Sequence, residues 1–235
     1  MRTFRVIGLG RAGQSIMRAL GDAPGWRFDR AYGRGDDITD AAVGVDLLVI
    51  ATPDAVIADV ARRVRPVETT VVAHLAGSLG LDALEPHPRR ATLHPLMTLP
   101  DGERGATRLQ GAWFAVAGDP LAADAVQAMG GKPFALDDER RAIYHAAAAV
   151  AANHLVALLG QVERLAQAAG VPFEAFLGLV RAAVDNVEQL GPAAALTGPV
   201  ARGDHETIAR HLAAIPPEER PAYEAMVAEA RRLVA

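Results

Sequence analysis

Side chains able to do proton or hydrogen-bond chemistry gather in three stretches of this 235-residue chain: His74-Leu75-Ala76-Gly77-Ser78, Leu93-His94-Pro95, and Tyr144-His145 with Asn153 and His154 beyond it. An imidazole, phenol, hydroxyl or amide at a reacting centre can hydrogen-bond an oxygen or nitrogen that gains charge, or hand it a proton. On a helix, His145 and Asn153, eight residues apart, stand about 80° apart around the axis and roughly 12 Å apart along it. They can line one cleft but cannot hold the same small group. His145 is therefore the candidate proton donor or polariser, Asn153 the candidate for orienting a bound molecule, and His94 a third catalytic candidate. His154 falls nearly opposite His145 on such a helix and is left out. Gly77, Ser78 and Tyr144 are candidates for touching a substrate. Arg202, in a glycine-flanked loop, is a candidate for pairing a carboxylate through two parallel hydrogen bonds.

Other chemistries find less support. The chain has no cysteine, which removes disulfides, thiolate catalysis and cysteine metal sites. Its histidines form no His-Glu-x-x-His spacing, so no metal is expected. Gly77-Ser78-Leu79-Gly80 lacks the preceding glycine spacing of a hydrolase nucleophile elbow. A net charge of −4 with no basic patch argues against nucleic acid as a partner.

Gly8-Leu9-Gly10-Arg11-Ala12-Gly13 follows a β-branched run and opens a helical one. That context fits a dinucleotide fingerprint. The first glycine permits a tight turn, the second lets backbone approach a pyrophosphate, and the third lets helix pack on strand. The free amides at the helix start then face the phosphates. An NAD site wants an acid about 20 residues beyond the loop, but Gly33 and Arg34 occupy that place. A guanidinium there suits a 2′-phosphate, so NADP(H) is favoured. Asp36 and Asp37 keep NAD open. Thr52-Pro53-Asp54 and His74, at the ends of later strands, join the cofactor candidates, with Thr52 also reading as a helix cap.

The elements that position these residues change character partway along. Strands are expected at 3–8, 27–32, 46–51, 69–74, 91–94, 113–117 and 133–136, with helical spacing at 13–20 and 55–64. This alternation predicts an α/β domain over residues 1–136, a Rossmann-type parallel sheet with crossover helices. Residues 137–235 then read as an all-α domain built on one long helix over 138–169, followed by helices at 173–190, 204–214 and after Pro216-Pro217. The apolar run 142–159 approaches membrane-spanning length. His145, Asn153 and His154 interrupt it, and it is read as a buried helix of a soluble, cytoplasmic protein.

The motifs His94-Pro95-Leu96, Tyr144-His145-Ala146-Ala147 and Thr197-Gly198-Pro199 with Arg202-Gly203-Asp204 give a further lead. Together with the glycine loop, the chain resembles Rossmann-like proteins with a C-terminal helical domain of unknown function. These are similar to deazaflavin-dependent NADP oxidoreductases, pyrroline-5-carboxylate reductases and ketopantoate reductases. The resemblance implies an NADP-dependent reductase of a small carbonyl or imine, ketopantoate among the candidates, dimeric through its helical domain. It departs from ketopantoate reductases in lacking a lysine on the long helix; the single lysine, Lys132, lies elsewhere. A non-catalytic NADP(H) sensor that signals through its helical half is the alternative expectation.

Overall fold

The structure is a computed structural model that describes residues 1–234. It divides into two compact units, Met1–Ala152 and Asn153–Ala235.

The first unit is built on a seven-stranded sheet in the order β2-β1-β3-β4-β5-β6-β7. The strands are β1 Arg2–Ile7, β2 Trp26–Tyr32, β3 Leu47–Ile50, β4 Val71–His74, β5 Arg90–Pro95, β6 Trp113–Gly118 and β7 Lys132–Ala135. Strands β1 to β5 run parallel, β6 is antiparallel to β5, and β7 is parallel to β6. All seven expected strands are present, but the sheet is mixed rather than wholly parallel. Side chains of a strand alternate between its faces, and parallel strands covered on both sides read as unbroken apolar runs. β3 illustrates this: Leu47 and Val49 pack with Phe4, Ile16, Leu20 and Phe114, whereas Leu48 and Ile50 pack with Tyr32, Ile57 and Leu84.

Helices α1 Arg11–Gly21, α2 Ile57–Arg63, α3 Gly102–Leu109 and α4 Leu121–Ala128 join the strands. Neither α3 nor α4 is expected from apolar spacing. Asp101 starts α3 by accepting from the amides of Glu103 and Arg104 at 3.0 and 2.8 Å. The segment before α2 corrects another expectation. Asp54–Val56 is a 3₁₀ turn, and Thr52 caps nothing; its Oγ1 is buried without a hydrogen-bond partner.

The long helical stretch exists, and its first turns belong to the sheet-bearing unit, so the unit ends at Ala152 instead of residue 136. It begins as a 3₁₀ turn at Asp138–Arg140 and continues as α5 Arg141–Ala149, a π-helical turn Val150–His154 and α6 Leu155–Ala168. The reason for the later boundary is that residues on α5 bond to β5, as described below. The apolar run is not buried within the chain: its most apolar window contains no buried residue.

The second unit contains α6, α7 Glu174–Leu190, the short turns α8 Pro192–Ala195 and α9 Gly198–Ala201, α10 His205–Ala214 and α11 Arg220–Arg232. Asp204 caps α10, accepting from the Thr207 amide at 3.0 Å. Gln161 Nε2 donates to the Glu219 carbonyl at 2.8 Å and Arg164 pairs with the Glu219 carboxylate, joining α6 to the start of α11. Otherwise the unit is thinly packed, and α7 contains no buried residue.

Candidate functional site

Two groups of candidate residues lie at the carboxyl ends of the parallel strands, where open α/β sheets bind ligands. The first surrounds the glycine loop between β1 and α1. Gly8 has φ +104°, and a Cβ there would stand 2.6 Å from the Ala51 carbonyl oxygen. A Cβ on Gly13 would stand 2.0 Å from the Gly8 carbonyl oxygen, whereas one on Gly10 would meet nothing within 4 Å. Two glycines are thus required by packing, and the middle one faces open space. Gln14 Nε2 steadies the loop by donating to the Leu9 carbonyl at 2.8 Å. No side chain caps α1 and no acid lies in its first turn, which leaves its amide end free for an anion.

A cavity of about 560 Å³ opens beside this loop. Gly8, Leu9, Gly10, Arg34, Thr52 and Pro53 line it, joined by Arg63 from the end of α2. Sequence reasoning missed Arg63: it lies outside any nucleotide motif and comes to Arg34 only through the β2-β1-β3 strand order. The two acids after β2 are engaged locally. Asp36 accepts from the Gly33 amide at 2.7 Å, and Asp37 accepts from the Thr39 amide and hydroxyl at 2.9 and 2.7 Å. Those bonds hold the Asp37 carboxyl below its usual range. No ion pair engages Arg34 or Arg63 among the described residues. The glycine clearances, the uncapped helix, the orphaned Thr52 hydroxyl and the two guanidiniums fit an elongated phosphate-bearing ligand.

The second group joins β4, β5 and α5. His94 Nδ1 lies 2.6 Å from the Tyr144 hydroxyl, with the two rings perpendicular. His145 sits beside them, its ring centroid 6.1 Å from that of His94. Gly77 completes the cluster: a Cβ there would be 2.8 Å from both His94 Nε2 and His145 Cδ2. Burial, with help from the neighbouring His145 and against the pull of Asp54, holds the His94 imidazole down at about 4, so it is neutral near pH 7. Ser78 Oγ donates to Asp54 Oδ2 at 3.1 Å, tying the loop after β4 to the loop after β3.

The base of α5 is fixed by a residue that sequence reasoning also missed. Arg141 is only 2% exposed. Its Nε donates to Asp138 Oδ1 at 2.5 Å and its Nη2 to Thr92 Oγ1 at 2.7 Å. Thr92 and His94 share one face of β5, and Arg141 and Tyr144 share one face of α5, so the helix is bonded to the strand twice within one turn. The signal was present in the spacing of each pair, but nothing in the linear sequence paired the strand with the helix.

Not every candidate joins these groups. His74 is fully buried; its Nδ1 accepts from the Ala76 amide at 3.2 Å and its Nε2 donates to the Gly80 carbonyl at 3.0 Å. Both ring nitrogens are spent on the 74–80 loop, so it shapes that loop and does not face a ligand. Burial holds its imidazole below the ordinary value. Asn153 and Arg202 lie in the other compact unit, both exposed. Asn153 falls in the π-helical turn, so its angular offset from His145 departs from the α-helical value used above. Among the described residues, no group of three or more histidine, aspartate or glutamate side chains is placed to hold a metal.

Comparison with known proteins agrees at the level of fold. Residues 114–230 match the family model described as "Domain of unknown function (DUF2520)". A Bacteroides fragilis protein provisionally named an NADP oxidoreductase is 20% identical, with a TM-score of 0.79 and 98% of each chain covered. A Thermotoga maritima protein is 21% identical, with a TM-score of 0.76 and 98% of each chain covered. A Plasmodium falciparum pyrroline carboxylate reductase, solved with NADP bound, is 12% identical with a TM-score of 0.65, covering 100% of this chain and 98% of that one. No curated protein matches the sequence. The Rossmann-type fold with a helical C-terminal part, inferred from the motifs, is borne out.

Proposed function

We propose that this protein is an NADPH-dependent reductase of a small carbonyl or imine compound, with ketopantoate the first substrate to test. The observation that carries the reading is the pairing of an anion-suited glycine-loop cavity with a neutral, tyrosine-bonded histidine at the same end of one sheet. NADPH, when bound, supplies the hydride. The chain's own residues do the rest. Gly10 and the amide end of α1 receive the pyrophosphate, Arg34 and Arg63 hold the 2′-phosphate, and Thr52 and Pro53 line the wall between. His94 and His145 face the acceptor group, whose oxygen or nitrogen must gain a proton as its carbon gains hydride; His145 is assigned as proton donor.

The same reading makes the protein a cytoplasmic homodimer joined through its helical unit. What supports the dimer is uncovered apolar surface: Val156 and Leu179 in the helical unit are 69% and 68% exposed. A stretch that is helical, apolar and uncovered needs another surface, and a second copy supplies one.

The test is oxidation of NADPH by the purified protein with ketopantoate, other 2-oxo acids and cyclic imines, with NADH as control. NADPH-dependent turnover of one class supports the assignment. Tight NADPH binding with no turnover on any of them would contradict it and favour a sensor.

A further inference from the structure

We infer that Tyr144 is a positioning residue that fixes His94 as its Nε2–H tautomer, so that the ring offers one donor and offers it on the Gly77 side. Two hydrogen-bond directions are possible for the 2.6 Å contact between the Tyr144 oxygen and His94 Nδ1. A phenol is the more acidic donor and an unprotonated imidazole nitrogen the better acceptor, so the hydroxyl donates and Nδ1 accepts. The hydrogen bond at one ring nitrogen then decides which nitrogen bears the proton. The remaining N–H is at Nε2, on the side where the absent side chain of Gly77 leaves room for the His94 and His145 rings.

The surrounding packing is suited to holding that choice. The Tyr144 ring is braced edge-on by Phe134 at a centroid distance of 6.0 Å and stands perpendicular to His94. Three residues earlier, Arg141 bonds to Thr92, two residues before His94 on β5. The phenol therefore approaches Nδ1 from a helix anchored to the same strand. Burial raises the Tyr144 hydroxyl above its ordinary value, which keeps its hydrogen in place.

The consequence rests on the reductase reading. A neutral imidazole N–H polarises an acceptor's oxygen or nitrogen by hydrogen bonding and is a poor source of the proton itself. His94 would then steer the acceptor while the proton comes from elsewhere. Neither role needs a lysine.

The tautomer can be read without substrate. In ¹⁵N-labelled wild-type protein near neutral pH, long-range proton–nitrogen correlation should show His94 with a protonated Nε2 and a bare Nδ1. In Tyr144→Phe, which keeps the ring and loses the hydroxyl, that single-tautomer pattern should give way to averaged nitrogen shifts. With an active substrate in hand, the same variant should lower kcat by about tenfold, the worth of roughly one hydrogen bond, with KM for the cofactor unchanged. A protonated Nδ1 in the wild type, or an unaltered pattern in a folded Tyr144→Phe, would overturn the inference. Because the spectrum needs no turnover, loss of the reductase reading would leave this result standing, and the two failures can be told apart.

Discussion

Gly77 lies so close to His94 that a β-carbon on it would stand 2.8 Å from Nε2, and the same carbon would stand 2.8 Å from the His145 ring. Gly77 is buried, and the His94 ring is held by its hydrogen bond to Tyr144, so it cannot yield cheaply. Gly77→Ala should therefore cost about 1–3 kcal/mol of stability through overpacking. Turnover should fall by on the order of a hundredfold as the rings are displaced, with NADPH affinity unchanged. Denaturant melts and calorimetric titration of one preparation check both parts. A fully active Gly77→Ala protein would remove the histidine pair from the site.

Acid should weaken the fold before the carboxylates titrate. His94 is held at about 4 against an ordinary 6.5, and burial likewise lowers His74 and His87. A histidine whose folded value lies below its unfolded value takes up a proton more readily in the unfolded chain. Its stabilising contribution is complete above the unfolded value and is lost as pH falls through the window from 6.5 towards 4. Melting temperature should drop steadily between about pH 7 and pH 5, and the drop should be shallower in His94→Gln. A flat profile in the wild type would contradict the burial described for these rings.

Arg34 and Arg63 face one cavity without an ion-pair partner among the described residues. Replacing either by glutamine should weaken NADPH binding by about tenfold or more, the scale of one charge-assisted hydrogen bond. NADH binding should hardly change. Equal losses for both cofactors would assign the arginines to the shape of the loop instead of to the 2′-phosphate.

Val156 and Leu179 are more than two-thirds exposed, and burying such a side chain contributes roughly 1.5–3 kcal/mol. If a second copy covers them, Val156→Asp and Leu179→Asp together should convert a dimer to a monomer in light scattering after size exclusion. A wild type that is monomeric at every concentration, or that sediments with membranes, would contradict the homodimer.

The middle of the sheet was legible because β3 and β4 are short and apolar; β3 is Leu-Leu-Val-Ile and both are buried throughout. The glycine loop was legible because its three glycines follow a strand and open a helix, and Gly8 and Gly13 each answer a steric demand. What escaped was long-range pairing. Arg141 resembles any arginine near a helix start, and its burial depends on Thr92 arriving from β5. His74 looked functional for the opposite reason: a histidine at a strand end fits a site, and only the loop geometry shows its nitrogens bonded to Ala76 and Gly80. The apolar run of the long helix was assigned to a core because the sequence does not say which surface covers it. α3 and α4 were overlooked where small and charged residues blur the apolar period, although Asp101 before Gly102 carried a capping signal.

The most direct test of the reductase assignment is to follow the hydride itself. NADPH carrying deuterium at the reactive position, in each of its two stereochemical forms, would be incubated with the protein and an accepted carbonyl or imine, and the product weighed by mass spectrometry. The account predicts that one form places a single deuterium on the reduced carbon and the other places none. Product that forms without label from either, or cofactor that binds and keeps its label in both, would contradict hydride transfer as the function of this site.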